Sequence, residues 1–186
     1  MIDLPLLLEK AKDGTLSAHE ARAVAGLLRE HPSSGEAYTA IHILGRGWAT
    51  GYRELVASFL DSPGDPMLAR IALTVLVGEW GLGAAYRDEL RAFARGVDWD
   101  DEDDVRLVAL SATGELVRTT GDHELLSDLL AIAADSGEDI LVRDTAFDAI
   151  ARAVGAGYAE LRRRSKLPAG DPWADSILER ARALAG

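Results

Sequence analysis

Asp65-Pro66-Met67-Leu68-Ala69-Arg70-Ile71-Ala72-Leu73 opens a pattern that recurs as Asp104-Val105-Arg106-Leu107-Val108-Ala109-Leu110 and again as Asp139-Ile140-Leu141-Val142-Arg143-Asp144-Thr145-Ala146-Phe147. In each copy an acid precedes an arginine, and small and apolar residues follow. The arginines Arg70, Arg106 and Arg143 stand 36 and 37 residues apart. A period of that length is the mark of a stacked repeat, each unit being one supersecondary element. Within the copies the apolar spacing is helical: Leu68, Ile71, Ala72, Val75 and Leu76 share a face. So do Val105, Val108, Ala112 and Leu116, and so do Ile140, Phe147, Ile150 and Val154. No stretch alternates with period two, so no sheet is expected.

Working outward, each of these first helices is followed by a shorter second one. Tyr52-Arg53-Glu54-Leu55 and Tyr86-Arg87-Asp88-Glu89-Leu90 begin two of them, and Tyr158-Ala159-Glu160-Leu161 is a looser third. Helix ends are punctuated consistently. Ser17-Ala18-His19-Glu20 has the spacing of a capping box, opening a helix to about Glu30, before Pro32. Asp65-Pro66 and Asp171-Pro172 place a capping carboxylate before a proline at the first helical position. Gly121-Asp122 reads as a helix stop followed by the next cap. Ala69, Ala72, Ala109, Ala112, Ala146 and Ala151 would let neighbouring helices approach closely.

An acid, then an arginine, then small and apolar residues in the first helix of a pair resembles the HEAT-repeat family. The resemblance covers residues 34–166; the period is a little short for that family, and the first pair lacks the arginine. It implies an all-α, armadillo-type α-α superhelix of roughly four helix pairs. Residues 1–33 would form an N-terminal helical cap and 171–185 a C-terminal one, within a single α-solenoid domain spanning 1–186. An irregular helical bundle is the alternative architecture. The arginine–acid ladder is read as structural.

Totals narrow the function. The 186 residues are 48% apolar and 27% charged, the balance of a folded domain. There is no cysteine, which excludes disulfides and thiolate chemistry. No apolar run has the length of a membrane span, and the N-terminal Leu-rich run lacks a basic flank and a cleavage site. A cytoplasmic protein with no membrane partner is expected. The heavy preference for Arg over Lys, with abundant Ala, Gly, Leu and Asp, suggests a GC-rich bacterial source. Net charge is −11, and residues 65–138 alone hold sixteen acids against six bases. Such a field repels nucleic acid and attracts basic partners.

A search for chemistry returns little. His19, His31, His42 and His123 show no metal-ligand spacing, and His123-Glu124 lacks the second histidine of a zinc-protease helix. Gly45-Arg46-Gly47-Trp48-Ala49-Thr50-Gly51 has neither the glycine spacing of a dinucleotide site nor the Lys-Ser of a P-loop. Gly78-Glu79-Trp80-Gly81-Leu82-Gly83 occupies the same place one repeat later, so both read as turns. Trp48 and Trp80, 32 residues apart, would lie along one edge of a stack. They are either core or partner-facing anchors, tryptophan being enriched at binding hot spots. Asp98-Trp99-Asp100-Asp101-Glu102-Asp103-Asp104 is six acids around one tryptophan. It fits a solvated loop or a docking site for a basic partner. A calcium loop fails, because its sixth and twelfth positions hold Asp103 and Ala109. Arg162-Arg163-Arg164-Ser165-Lys166 reads as a helix-end basic cluster.

The expected function is therefore non-catalytic protein binding, with no cofactor and no metal, through Asp98 to Asp104, Trp48 and Trp80. Small acidic helical proteins of this kind resemble bacterial immunity or antitoxin proteins that mask a basic toxin. A scaffold subunit of a larger complex is the second reading. Some HEAT-like proteins are glycosylases of alkylated DNA bases, and others are chromophore lyases; a glycosylase needs a basic groove that this composition opposes.

Overall fold

The computed structural model describes residues 2–32, 35–157, 159–161 and 172–186. Among them every regular element is helical and there is no strand. The order is α1 (Leu4–Lys12), α2 (Ala18–Glu30), α3 (Gly35–Arg46), a 3-10 turn (Thr50–Tyr52), α4 (Arg53–Ala57) and α5 (Pro66–Leu73). α5 runs directly into a π-helical segment, Thr74–Glu79. A second 3-10 turn (Gly83–Tyr86) follows, then α6 (Arg87–Arg95), α7 (Asp104–Thr120), α8 (His123–Ala134), α9 (Ile140–Ala153) and α10 (Pro172–Ala185). The chain divides into two compact units, Met1–Leu82 and Gly83–Gly186. The cluster Arg162 to Lys166, the cap expected from Asp171 and the second-helix start expected at Tyr158 lie outside the described residues.

In the first unit, α3 is the core. Ala40, Ile41, Ile43 and Leu44 are fully buried as α1 and α2 close on it and α5 with its π extension packs alongside. α1 contributes Leu4, Leu7 and Ala11; α2 contributes Ala21, Val24, Ala25 and Leu28. Both sets follow the helical stripe that buries one face and leaves the other wet. The Ser17 box forms in full: Ser17 Oγ accepts from Glu20 N at 3.2 Å, and Ser17 N–H donates to Glu20 Oε2 at 2.9 Å. Lys10 pairs with the same carboxylate, and these contacts, the Lys10 hydrogen bond foremost, hold Glu20 down at a pKa of about 2.

In the second unit, α7 and α9 make the closest approach. A Cβ on Gly114 would stand 2.6 Å from the Ala149 carbonyl oxygen, so only glycine lets these backbones meet. α8 lies against α9 and α10, and α6 against α7. The expected stop at Gly121 forms, with positive φ and its N–H donating to Val117 O at 2.8 Å. Asp122 then caps α8 through a 3.0 Å bond from Leu125 N.

Two local expectations change, at Asp65 and at Ile140. Asp65 precedes Pro66 but makes no side-chain cap; its carboxylate accepts from the Tyr38 hydroxyl instead. At the start of α7, whose first residue is Asp104, the carboxylate that accepts from the free N–H groups is that of Asp100. Ile140 is 64% exposed, because the buried stripe of α9 begins at Val142 and continues through Ala146, Ala149 and Ile150.

Candidate functional site

The acidic run Asp98–Asp104 connects α6 to α7, and its seven residues do different work. Asp100 is buried; its Oδ2 accepts from the N–H groups of Val105 and Arg106, each at 2.9 Å. These are free donors at a helix start, and a carboxylate there is also favoured by the helix dipole. Trp99 is half-buried, edge-on to Phe93 of α6 with ring centroids 6.0 Å apart. Asp103 adopts a left-handed backbone (φ 57°) and faces Arg106 Nη1 at 3.4 Å. Asp104 is half-buried at the helix start. Asp98, Asp101 and Glu102 remain, all exposed. The loop is thus tied down by four of its residues and presents three carboxylates to solvent.

Arg106 is the post that holds this arrangement. Its side chain is 9% exposed. Nε donates to Ala94 O at 3.2 Å and the two Nη groups reach Glu138 at 2.9 and 2.5 Å. Burial works against its charge, but Glu138 and Asp103 outweigh burial and the pKa is raised.

The two tryptophan turns of the first unit are not equivalent. Trp80 is 5% exposed and its indole N–H donates to Gly45 O at 3.1 Å, so it is part of the core. Trp48 is 67% exposed and sits in the left-handed region at φ 51°. Ala49 N–H donates back to Leu44 O at 3.0 Å, which makes Trp48 the left-handed residue of a Schellman helix stop. The matching left-handed position in the next turn is Gly81, with φ 67°. Trp80 stands one residue before that position, so the two tryptophans occupy different places in their turns.

Beneath the Trp48 turn lies a cluster the sequence did not announce. Glu79, at the end of the π-helical segment, pairs with Arg46 Nε at 3.2 Å, while its Oε2 is buried with no hydrogen bond. A Cβ on Gly45 would strike that oxygen at 2.5 Å. Burial pushes the nearby His42 imidazole below its ordinary value, partly opposed by Glu79 and reinforced by Arg46.

The second feature missed was an ion-pair ladder. Arg87, Arg91 and Arg95, one turn apart on α6, meet Asp122, Glu124 and Asp128 of α8. Arg87 Nε stands 2.6 Å from Asp122, Arg91 Nε 2.6 Å from Asp128, and Arg95 Nη2 2.9 Å from Asp128. The i, i+4, i+8 spacing of the arginines was a readable signal; which acids they would meet was not. With Arg106 on Glu138 and Arg118 on Glu115, these bases of the acidic middle are spent on its own carboxylates. Among the described residues no cluster has a metal-ligand arrangement, and no helix is long and apolar enough to cross a membrane. No family model, curated protein or solved structure matches the chain.

Proposed function

We propose that the chain is a non-catalytic protein-binding module that docks a basic partner on the Asp98–Asp104 loop. One observation carries this reading. Asp98, Asp101 and Glu102 are exposed on a loop anchored by Trp99 on Phe93 and by Asp100 on the start of α7. A preformed charged loop loses little conformational freedom on binding and speeds encounter with a cationic surface. The commitment of Arg87, Arg91, Arg95, Arg106 and Arg118 to internal ion pairs opposes a phosphate-binding groove and so the glycosylase reading.

The architecture we read is a HEAT-like, armadillo-type stack. Its support is that first helices α7 and α9 pack side by side, second helices α6 and α8 are bridged by the ladder, and the C-terminal helix α10 packs against α8. The most concrete role is that of a bacterial immunity or antitoxin protein masking a basic toxin; a scaffold subunit would use the same loop.

The test is capture from source lysate and secretome, followed by calorimetry on the purified pair. The triple variant Asp98→Asn, Asp101→Asn, Glu102→Gln leaves every anchoring residue in place. It is expected to weaken binding by about tenfold or more and to flatten its salt dependence. Unchanged affinity removes the loop from the interface. A secreted toxin as partner favours immunity, a resident complex favours the scaffold, and retention on a DNA column would revive the glycosylase.

A further inference from the structure

The first unit carries an open cleft of about 470 Å³ that the docking loop does not involve. That volume is within the range of small-ligand sites. Its apolar lining comes from Pro32, Phe59 and Leu68, the last two buried; its polar lining comes from Ser58, Ser62 and Asp65.

What the polar groups have left to offer decides the ligand. The Ser58 hydroxyl donates to Leu55 O at 2.7 Å and the Ser62 hydroxyl to Phe59 O at 2.8 Å. The Tyr38 hydroxyl donates to Asp65 Oδ2 at 2.5 Å. The bond to Asp65 is also the main cause raising the Tyr38 pKa above its ordinary value, so the phenol stays a donor through the neutral range. The hydroxyl protons of Ser58, Ser62 and Tyr38 are therefore in use. The side-chain capacity left is acceptor capacity: serine lone pairs and Asp65 Oδ1, which accepts no hydrogen bond among the described residues. Asp65 also forms no ion pair among the described residues, whereas Arg46 and Arg53 of the same unit are paired with Glu79 and Glu54. A carboxylate before a proline-started helix would ordinarily cap it, and this one is turned to Tyr38 instead. Among the described residues the lining side chains give the cleft a carboxylate, hydroxyl acceptors and an apolar floor.

We propose that this cleft binds an organic cation, an ammonium or guanidinium on a short apolar stem, with the Asp65 carboxylate as counter-ion and Phe59 and Leu68 against the stem. An anionic ligand would be repelled by the carboxylate, and a neutral one would leave it without a counter-ion. The proposal stands apart from the docking loop, and either can fail alone.

The experiment is an ¹⁵N NMR titration of the full chain with butylguanidinium and butylammonium, with butyrate as control. Saturable shifts are expected at the amides of Phe59, Ser62 and Asp65 with the cations and not with butyrate. Asp65→Asn should weaken binding by about tenfold or more, while Tyr38→Phe, which keeps the carboxylate, should bind at least as well as the parent. Circular dichroism of both variants separates lost binding from lost fold. No saturable shift with either cation, equal binding of butyrate, or undiminished binding to a folded Asp65→Asn chain would overturn the proposal. A parallel titration with short Lys- and Arg-containing peptides distinguishes sources. Tighter binding of peptide assigns the cation to a protein side chain, and tighter binding of the free cation assigns it to a small metabolite.

Discussion

At the scale of single residues, Trp48 holds its place at a backbone cost. Gly14 and Gly155 end α1 and α9 with the same backbone closure, Thr15 N to Lys10 O and Ala156 N to Ala151 O, both at 2.8 Å. Both carry positive φ at no steric expense because they lack a Cβ. Trp48 takes the same conformation with a bulky side chain that is 67% exposed and so gains little from burial. The left-handed region costs an L-residue on the order of 1 kcal/mol relative to glycine. Trp48→Gly is therefore expected to raise unfolding free energy by about 1 kcal/mol, read as a higher urea midpoint at unchanged slope. A fall of that size would mean that the indole makes stabilising contacts. The sequence could not reveal this strain. It shows two tryptophans in two glycine-rich turns, and only backbone geometry separates the buried Trp80 from the strained and exposed Trp48.

At the scale of elements, the second unit depends on Arg106 as a three-way tie. It joins the end of α6 through Ala94 O, the acidic loop through Asp103, and the α8–α9 connection through Glu138. Removing one partner of a buried pair strands the other charge. Glu138 is 26% exposed, and water will recover part of that loss. Arg106→Met is thus expected to cost about 2 kcal/mol, below the ~3–5 of a fully buried pair. A urea titration checks it, and a cycle with Glu138→Gln should show the two effects to be non-additive. A change below about 0.5 kcal/mol would reduce Arg106 to a surface group. Legibility follows sequence distance here. Ser17 with Glu20, and Gly121 with Asp122, could be read because cap and helix are neighbours. Asp65 with Tyr38, 27 residues apart, and Arg106 with Glu138, 32 apart, are tertiary choices that no local pattern encodes. Arg70, Arg106 and Arg143 each lie within a helix, α5, α7 and α9 respectively.

For the whole molecule, charge is the property most legible in advance and the one with the clearest consequence. The sequence showed an acidic middle; the structure divides its acids into those that stabilise the fold and those left at the surface. Glu20, Glu115 and Asp122 have lowered pKa values, each chiefly through a hydrogen bond from a basic side chain: Lys10, Arg118 and Arg87 respectively. Asp128 is lowered as well, burial being outweighed by Arg91 and Arg95. A carboxyl whose pKa is lower in the folded chain gives stability that is complete above its unfolded value of about 4. That stability drains as pH falls through the folded value, which for Glu20 is about 2. His42 acts in a different window. Burial lowers its pKa, so as pH falls below about 6.5 the unfolded chain takes up the proton first and unfolding is favoured. Urea midpoints should therefore fall in two stages, one beginning near pH ~6.5 and a second below about 4. His42→Gln is expected to flatten the first stage and leave the second intact. The same first stage in parent and variant would show that His42 contributes nothing to it, and that the half-buried Glu79 beside it is not sensed through this imidazole.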